Sequence, residues 1–97
     1  MDSNMTTMVV QIGNSDNKLK QGEWCHFCHA VNGLVFESFS RVHFSGGSDW
    51  DAPWQNACWC GSINVLDVEL FKSRLAVIRQ SWHQDSVAVL VGETQFV

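Results

Sequence analysis

The chain has no tyrosine, a single proline and only six basic residues among its 97. Those six, Lys18, Lys20, Arg41, Lys72, Arg74 and Arg79, form no run, and the net charge is −4. A protein that grips a phosphate backbone needs clustered cations, so nucleic acid is excluded as the expected partner. Apolar stretches are equally short. None approaches the roughly eighteen residues of a membrane helix, and residues 1–7 have neither the basic start nor the apolar stretch of a secretory signal. The expected compartment is therefore the cytoplasm, where Cys25, Cys28, Cys58 and Cys60 stay reduced. Export by another route would instead allow two disulfides.

What is present is apolar and aromatic. Hydrophobic residues make up 45% and charged residues 16%, a globular balance. The length fits one domain over residues 1–97, with residues 1–5 expected to be disordered. Five tryptophans and six phenylalanines are a heavy load for so small a core, which places some rings on a surface.

Residues 6–12 are rich in β-branched side chains and run into the turn cluster Gly13-Asn14-Ser15-Asp16-Asn17, giving a first strand. Trp24, Phe27, Cys28, Val31, Leu34 and Val35 recur at helical spacing from about Lys20 or Gln21 onward. Glu23 stands where a capping-box acid belongs, but Lys20 cannot be its Ser/Thr partner. Residues 39–45 and 56–65 alternate as two further strands, joined by a long aromatic loop that contains Trp50, Pro53 and Trp54. Asp67 is the expected N-cap of a second helix whose apolar face holds Val68, Phe71, Leu75, Ile78 and Trp82. Residues 86–91 form a last strand.

The order β-α-β-β-α-β has one compact solution, the α+β ferredoxin-like sandwich: an antiparallel sheet of order 4-1-3-2 with both helices on one face. Alternation places Val42, Phe44, Trp59 and Ile63 toward the helices. Arg41, His43, Cys58, Cys60 and Ser62 then lie on the open face. The first and last strands are apolar on both sides, so the open face is expected to carry a strip of valine beside two cysteines. Exposing it costs about 25 cal/mol per Å², and a two-fold dimer is the simplest cover. A trailing segment over residues 94–97 is the competing shield.

The same topology gathers three connections at one sheet end: Asn14, Ser15 and Asp16; residues 49–56; and His83, Gln84 and Asp85. Asn14, Asp16, Trp50, Trp54, Gln55, Asn56 and Asp85 are the binding candidates there, set against the commoner role of such residues as turn formers. Asp16, Asp49, Asp51 and Asp85 offer carboxylates to a hard cation, without EF-hand spacing. Cys25, Cys28, His29, Cys58 and Cys60 have the residue types of a zinc site. Cys28, however, lies on the core stripe of its helix, and Cys58 and Cys60 point to the open face, so one ion cannot easily gather both pairs. No cofactor motif and no Cys–His or acid–base pairing is visible.

The stretches Gln11-Ile12-Gly13-Asn14-Ser15-Asp16, Ala52-Pro53-Trp54-Gln55-Asn56-Ala57-Cys58-Trp59, Gln84-Asp85-Ser86 and Val91-Gly92-Glu93-Thr94 together resemble a family of small hypothetical proteins of actinobacteria and their phages. Lys20 departs from the Thr at the helix start of similar sequences. The resemblance implies a phage or prophage origin and brings no activity or site with it. Three readings follow: a non-enzymatic protein that docks on a protein partner through an aromatic loop or the open sheet face, a small dimeric α+β barrel enzyme with a pocket between paired sheets, and a zinc-binding module.

Overall fold

The computed structural model describes residues 4–14, 16, 18–49 and 51–97. Strand β1 (Met5–Gly13) is followed by helix α1 (Gln21–Ser38), strands β2 (Arg41–Gly47) and β3 (Asn56–Asn64), helix α2 (Val68–Ser81) and strand β4 (Ala88–Gly92). Of the five residues expected to be disordered, Met5 opens β1, and the Asn4 carbonyl accepts a hydrogen bond from Val65 N at 2.8 Å.

The sheet order is β2-β3-β1-β4, the expected order read from its other edge. β1 and β2 are both antiparallel to β3 and so run the same way, as the ferredoxin-like arrangement requires. Met8, Val10 and Ile12 of β1, with Trp59 and Ile63 of β3, form one buried cluster with Trp24, Phe27, Val31, Leu34 and Val35 of α1 and Phe71 and Leu75 of α2. Both helices therefore cover one face of the sheet, as the periodicity predicts. Trp59 keeps its indole N–H satisfied by donating to Asn32 Oδ1 on α1 at 2.9 Å.

Three local expectations need correction. Asp67 makes no side-chain cap. A 3₁₀ turn, Val65–Asp67, precedes α2, and Asn64 caps it by accepting from Leu66 N at 2.9 Å. At the start of α1 the Glu23 carboxylate accepts from Lys20 N at 2.8 Å, so one arm of a capping box survives although the lysine has no acceptor to return.

The third correction changes the open face. Arg41 pairs with Ser62 and Val42 with Gly61, but Phe44, not His43, pairs with Cys60. The extra residue is a β-bulge, which resets the alternation of β2 by one place. Phe44 thus joins Cys60 on the open face instead of facing the helices. His43 stays on that face too, with Nε2 at 3.4 Å from Ser62 Oγ.

On β4 the register Val10↔Val89 and Val9↔Leu90 turns Val87 and Val89 toward the core, where both are packed. Leu90 and Ala88 are outward, so the valine strip does not form. Gly61 marks the tightest point of the sheet: a Cβ there would lie 2.2 Å from the Arg41 carbonyl oxygen and 2.6 Å from the Phe39 ring.

Candidate functional site

The three connections do converge at one end of the sheet. Asn14 is 2% exposed and acts as a staple. Its Oδ1 accepts from Leu19 N at 3.0 Å, and its Nδ2 donates to Leu19 O at 2.9 Å and to Gln55 Oε1 at 3.2 Å. Its backbone N donates to Gln55 O at 2.8 Å. Gln55 and Gln21 exchange amide hydrogen bonds at 2.9 and 3.0 Å. These side chains hold the β1–α1 turn to the start of β3 and to α1, and their polar groups are spent on each other. Gln21 had no sequence signal, since nothing local distinguishes a first-turn glutamine that reaches a strand end.

Beside this staple lies a cavity of about 580 Å³ whose lining includes Gln11, Asp16, Asn56, Cys58, Gln84 and Asp85. Lys18 bridges its rim, 2.9 Å from Asp85 Oδ2 and 3.9 Å from Asp16 Oδ2. The hydrogen bond from Lys18, then its charge, holds the Asp85 carboxyl below its ordinary value and the Lys18 ammonium above its own. Arg79 Nη1 donates to Gln84 O at 2.8 Å and to Asp85 O at 3.3 Å. The acids at this end are therefore partly neutralised by Lys18, another residue that sequence reasoning missed. Asn56 N is taken by Ser48 Oγ at 3.0 Å. Asp49 and Asp51 are exposed in the β2–β3 loop and are absent from the cavity lining. Trp54 is 61% exposed. Trp50 and Ser15 lie outside the described residues.

The cysteines divide between the two sides of the sheet. Cys25, Cys28 and His29 are on α1, whereas Cys58 pairs in register with Gln11 and Gly46, and Cys60 with Val9 and Phe44, on the open face. Among the described residues no group of three or more His, Cys, Asp or Glu side chains is placed to hold a metal ion. Burial pushes the Cys28 thiol up to about 11, with Cys25 adding to the rise.

The open face is covered by neither helix. Cross-strand register defines three rows over all four strands. The central row is Leu90, Val9, Cys60 and Phe44, apolar from edge to edge. One flanking row is Ala88, Gln11, Cys58 and Gly46; the other is Gly92, Thr7, Ser62 and Arg41. At the ends of the central row Leu90 is 62% and Phe44 57% exposed. The trailing residues leave this row uncovered: the Thr94 hydroxyl is hydrogen-bonded to the Thr7 hydroxyl at the border of the face, and Phe96 is 94% exposed. A second cavity, about 980 Å³, lies there and is lined in part by Thr7, Arg41, His43, Ser62, Glu93 and Phe96.

No protein-family model matches the chain, and no curated protein is similar to it in sequence. Among the described residues no helix is long and apolar enough to cross a membrane.

Proposed function

We propose that this chain is a non-enzymatic interaction protein that docks on a protein partner through its open sheet face. The observation that carries this reading is the apolar row Leu90–Val9–Cys60–Phe44, which crosses the whole sheet without a charged residue. An antiparallel sheet with a solvated face alternates polar residues outward, and this row breaks that rule. A continuous apolar row on an otherwise uncovered face is the surface that suits contact with another protein. A partner in a bacterial host follows if the resemblance to phage-associated chains carries over, and four free thiols favour the cytoplasm as the compartment.

The barrel-enzyme reading has less support. His43 and Ser62 are 3.4 Å apart on that face, but Glu93, the carboxylate in the lining of the adjoining cavity, makes no hydrogen bond or ion pair to the imidazole among the described residues. The Asp- and Trp-bearing sheet end is supported less than the face, because Asn14 and Gln55 are consumed in the staple.

The test compares wild type with Phe44→Asp and Leu90→Asp. Both side chains are exposed, so thermal melting is expected to stay within a few degrees. Association with protein, of this chain or another, is expected to be lost in native mass spectrometry and affinity capture. Unchanged association in both variants overturns the reading.

A further inference from the structure

We infer that the cavity at the sheet end, where β1 and β4 part, binds a small uncharged ligand built on amide groups, a short peptide-like molecule. The inference goes beyond the interaction reading above and does not depend on it. The β1–β4 ladder stops at Gln11↔Ala88, whereas β1 stays paired with β3 as far as Gly13↔Asn56. Main-chain groups of successive strand residues point to alternate neighbours. Asn14 N donates to Gln55 O on the β3 side. The Gly13 N–H and C=O therefore point the other way, toward the segment that leads into β4. Two places beyond the last pair, the same register would set Ser86 opposite Gly13. No hydrogen bond joins them, and the main-chain groups of both are without a partner among the described residues. Both residues line the cavity of about 580 Å³. The fork is thus a ladder position with donors and acceptors in place and no strand to meet them.

The side chains around the fork have the same character. Gln84 is only 7% exposed, and its Nε2 donates to Trp82 O at 3.1 Å. Its Oε1 accepts no hydrogen bond among the described residues. No side-chain nitrogen or oxygen there is both sealed from solvent and unpaired, so Oε1 keeps an open surface, in a residue of the cavity wall. The carboxamides of Gln11 and Asn56, in the same wall, also make no hydrogen bond among the described residues. Each of these groups offers a donor, an acceptor or both. A ligand that matches them carries both, as an amide does.

Charge argues against an ion. The carboxylates of Asp16 and Asp85 at the rim are met by the Lys18 ammonium and by the Arg79 guanidinium, which donates to Gln84 O and Asp85 O. Two negative groups and two positive ones leave no net field to draw an ionic ligand. The volume falls within the range of about 300–1,000 Å³ usual for small-molecule sites.

Nuclear magnetic resonance titration of the ¹⁵N-labelled chain with N-acetylglycinamide is the test. Saturable shifts are expected at the Gly13 and Ser86 amides and at the Gln84 side-chain amide, with a Kd in the millimolar range for so small a probe. Methyl acetoxyacetate, an ester analogue without N–H groups, is expected to bind about fivefold or more weakly, since Gln84 Oε1 and Gly13 C=O then lack donors. Gln84→Met, which removes the open acceptor, is expected to weaken the amide probe by a similar factor. That change also breaks the bond to Trp82 O, so exposed Gln11→Ala, expected to melt as wild type does, is the second variant and is also expected to weaken binding. Absence of saturable shifts at Gly13 and Ser86 overturns the proposal. Equal binding of amide and ester, or unchanged affinity in both variants, overturns it as well.

Discussion

Cys25 and Cys28 sit one turn apart on the same helix and differ in chemistry because they differ in burial. Cys25 is exposed, while Cys28 is half-buried against the core with its thiol pushed up to about 11. Only the thiolate attacks an alkylating agent. At pH 8, iodoacetamide followed by peptide mass spectrometry is expected to label Cys25 well before Cys28; equal rates would contradict the burial of the Cys28 thiol. The same shift makes a stability statement. The folded chain holds the Cys28 proton more tightly than the unfolded chain does, so the stability this thiol contributes is whole below about 9 and is lost as pH rises through about 11. Denaturant midpoints at pH 8 and pH 11 are expected to show that fall, and Cys28→Ala to reduce it.

The turn out of α2 has a geometry that its residues do not favour. His83 adopts φ 55°, the left-handed region in which a Cβ is crowded. Its N–H donates to Gln80 O at 3.1 Å and Gln84 N–H to Arg79 O at 3.0 Å, the two bonds of a Schellman motif with His83 at the position glycine usually takes. His83→Gly is expected to raise stability by about 0.5–1 kcal/mol, as removal of left-handed strain outweighs the added freedom of the unfolded chain. Urea titration checks it, and a lower midpoint would refute it. Element by element, the sequence was readable wherever one side chain type decided the face. Trp59 and Ile63 on β3 alternate against small or polar neighbours, which decides their inward placement, whereas on β1 Val9 is as apolar as Met8, Val10 and Ile12 and alternation leaves the inward set open. On β4 both sets are apolar, so alternation alone had no power to orient Leu90. On β2 the bulge at His43 has no signature in the residues around it, so alternation alone places Phe44 on the helix side. At the sheet end, Asn14 and Gln55 read as exposed turn formers because composition does not distinguish an amide facing water from one buried against another amide.

At the scale of the whole molecule, the termini of the fold meet. β1 is flanked by β3 on one side and β4 on the other, and Thr6 Oγ1 donates to Gly92 O across 86 residues of sequence. The strand that opens the chain is thus a central strand of the sheet, and it is completed by the strand that closes the fold. Pairings of such long range carry their loop-closure entropy before they return any contact energy. Folding is expected to be slow for a chain of this size, in milliseconds to seconds as for other domains dominated by non-local strands. Stopped-flow tryptophan fluorescence measures it, and a microsecond relaxation would contradict the topology. Until β4 arrives, β1 offers a bare hydrogen-bonding edge to any neighbouring chain. The interval during synthesis and refolding when Met5–Gly13 is without β4 is therefore when this protein is most vulnerable to aggregation.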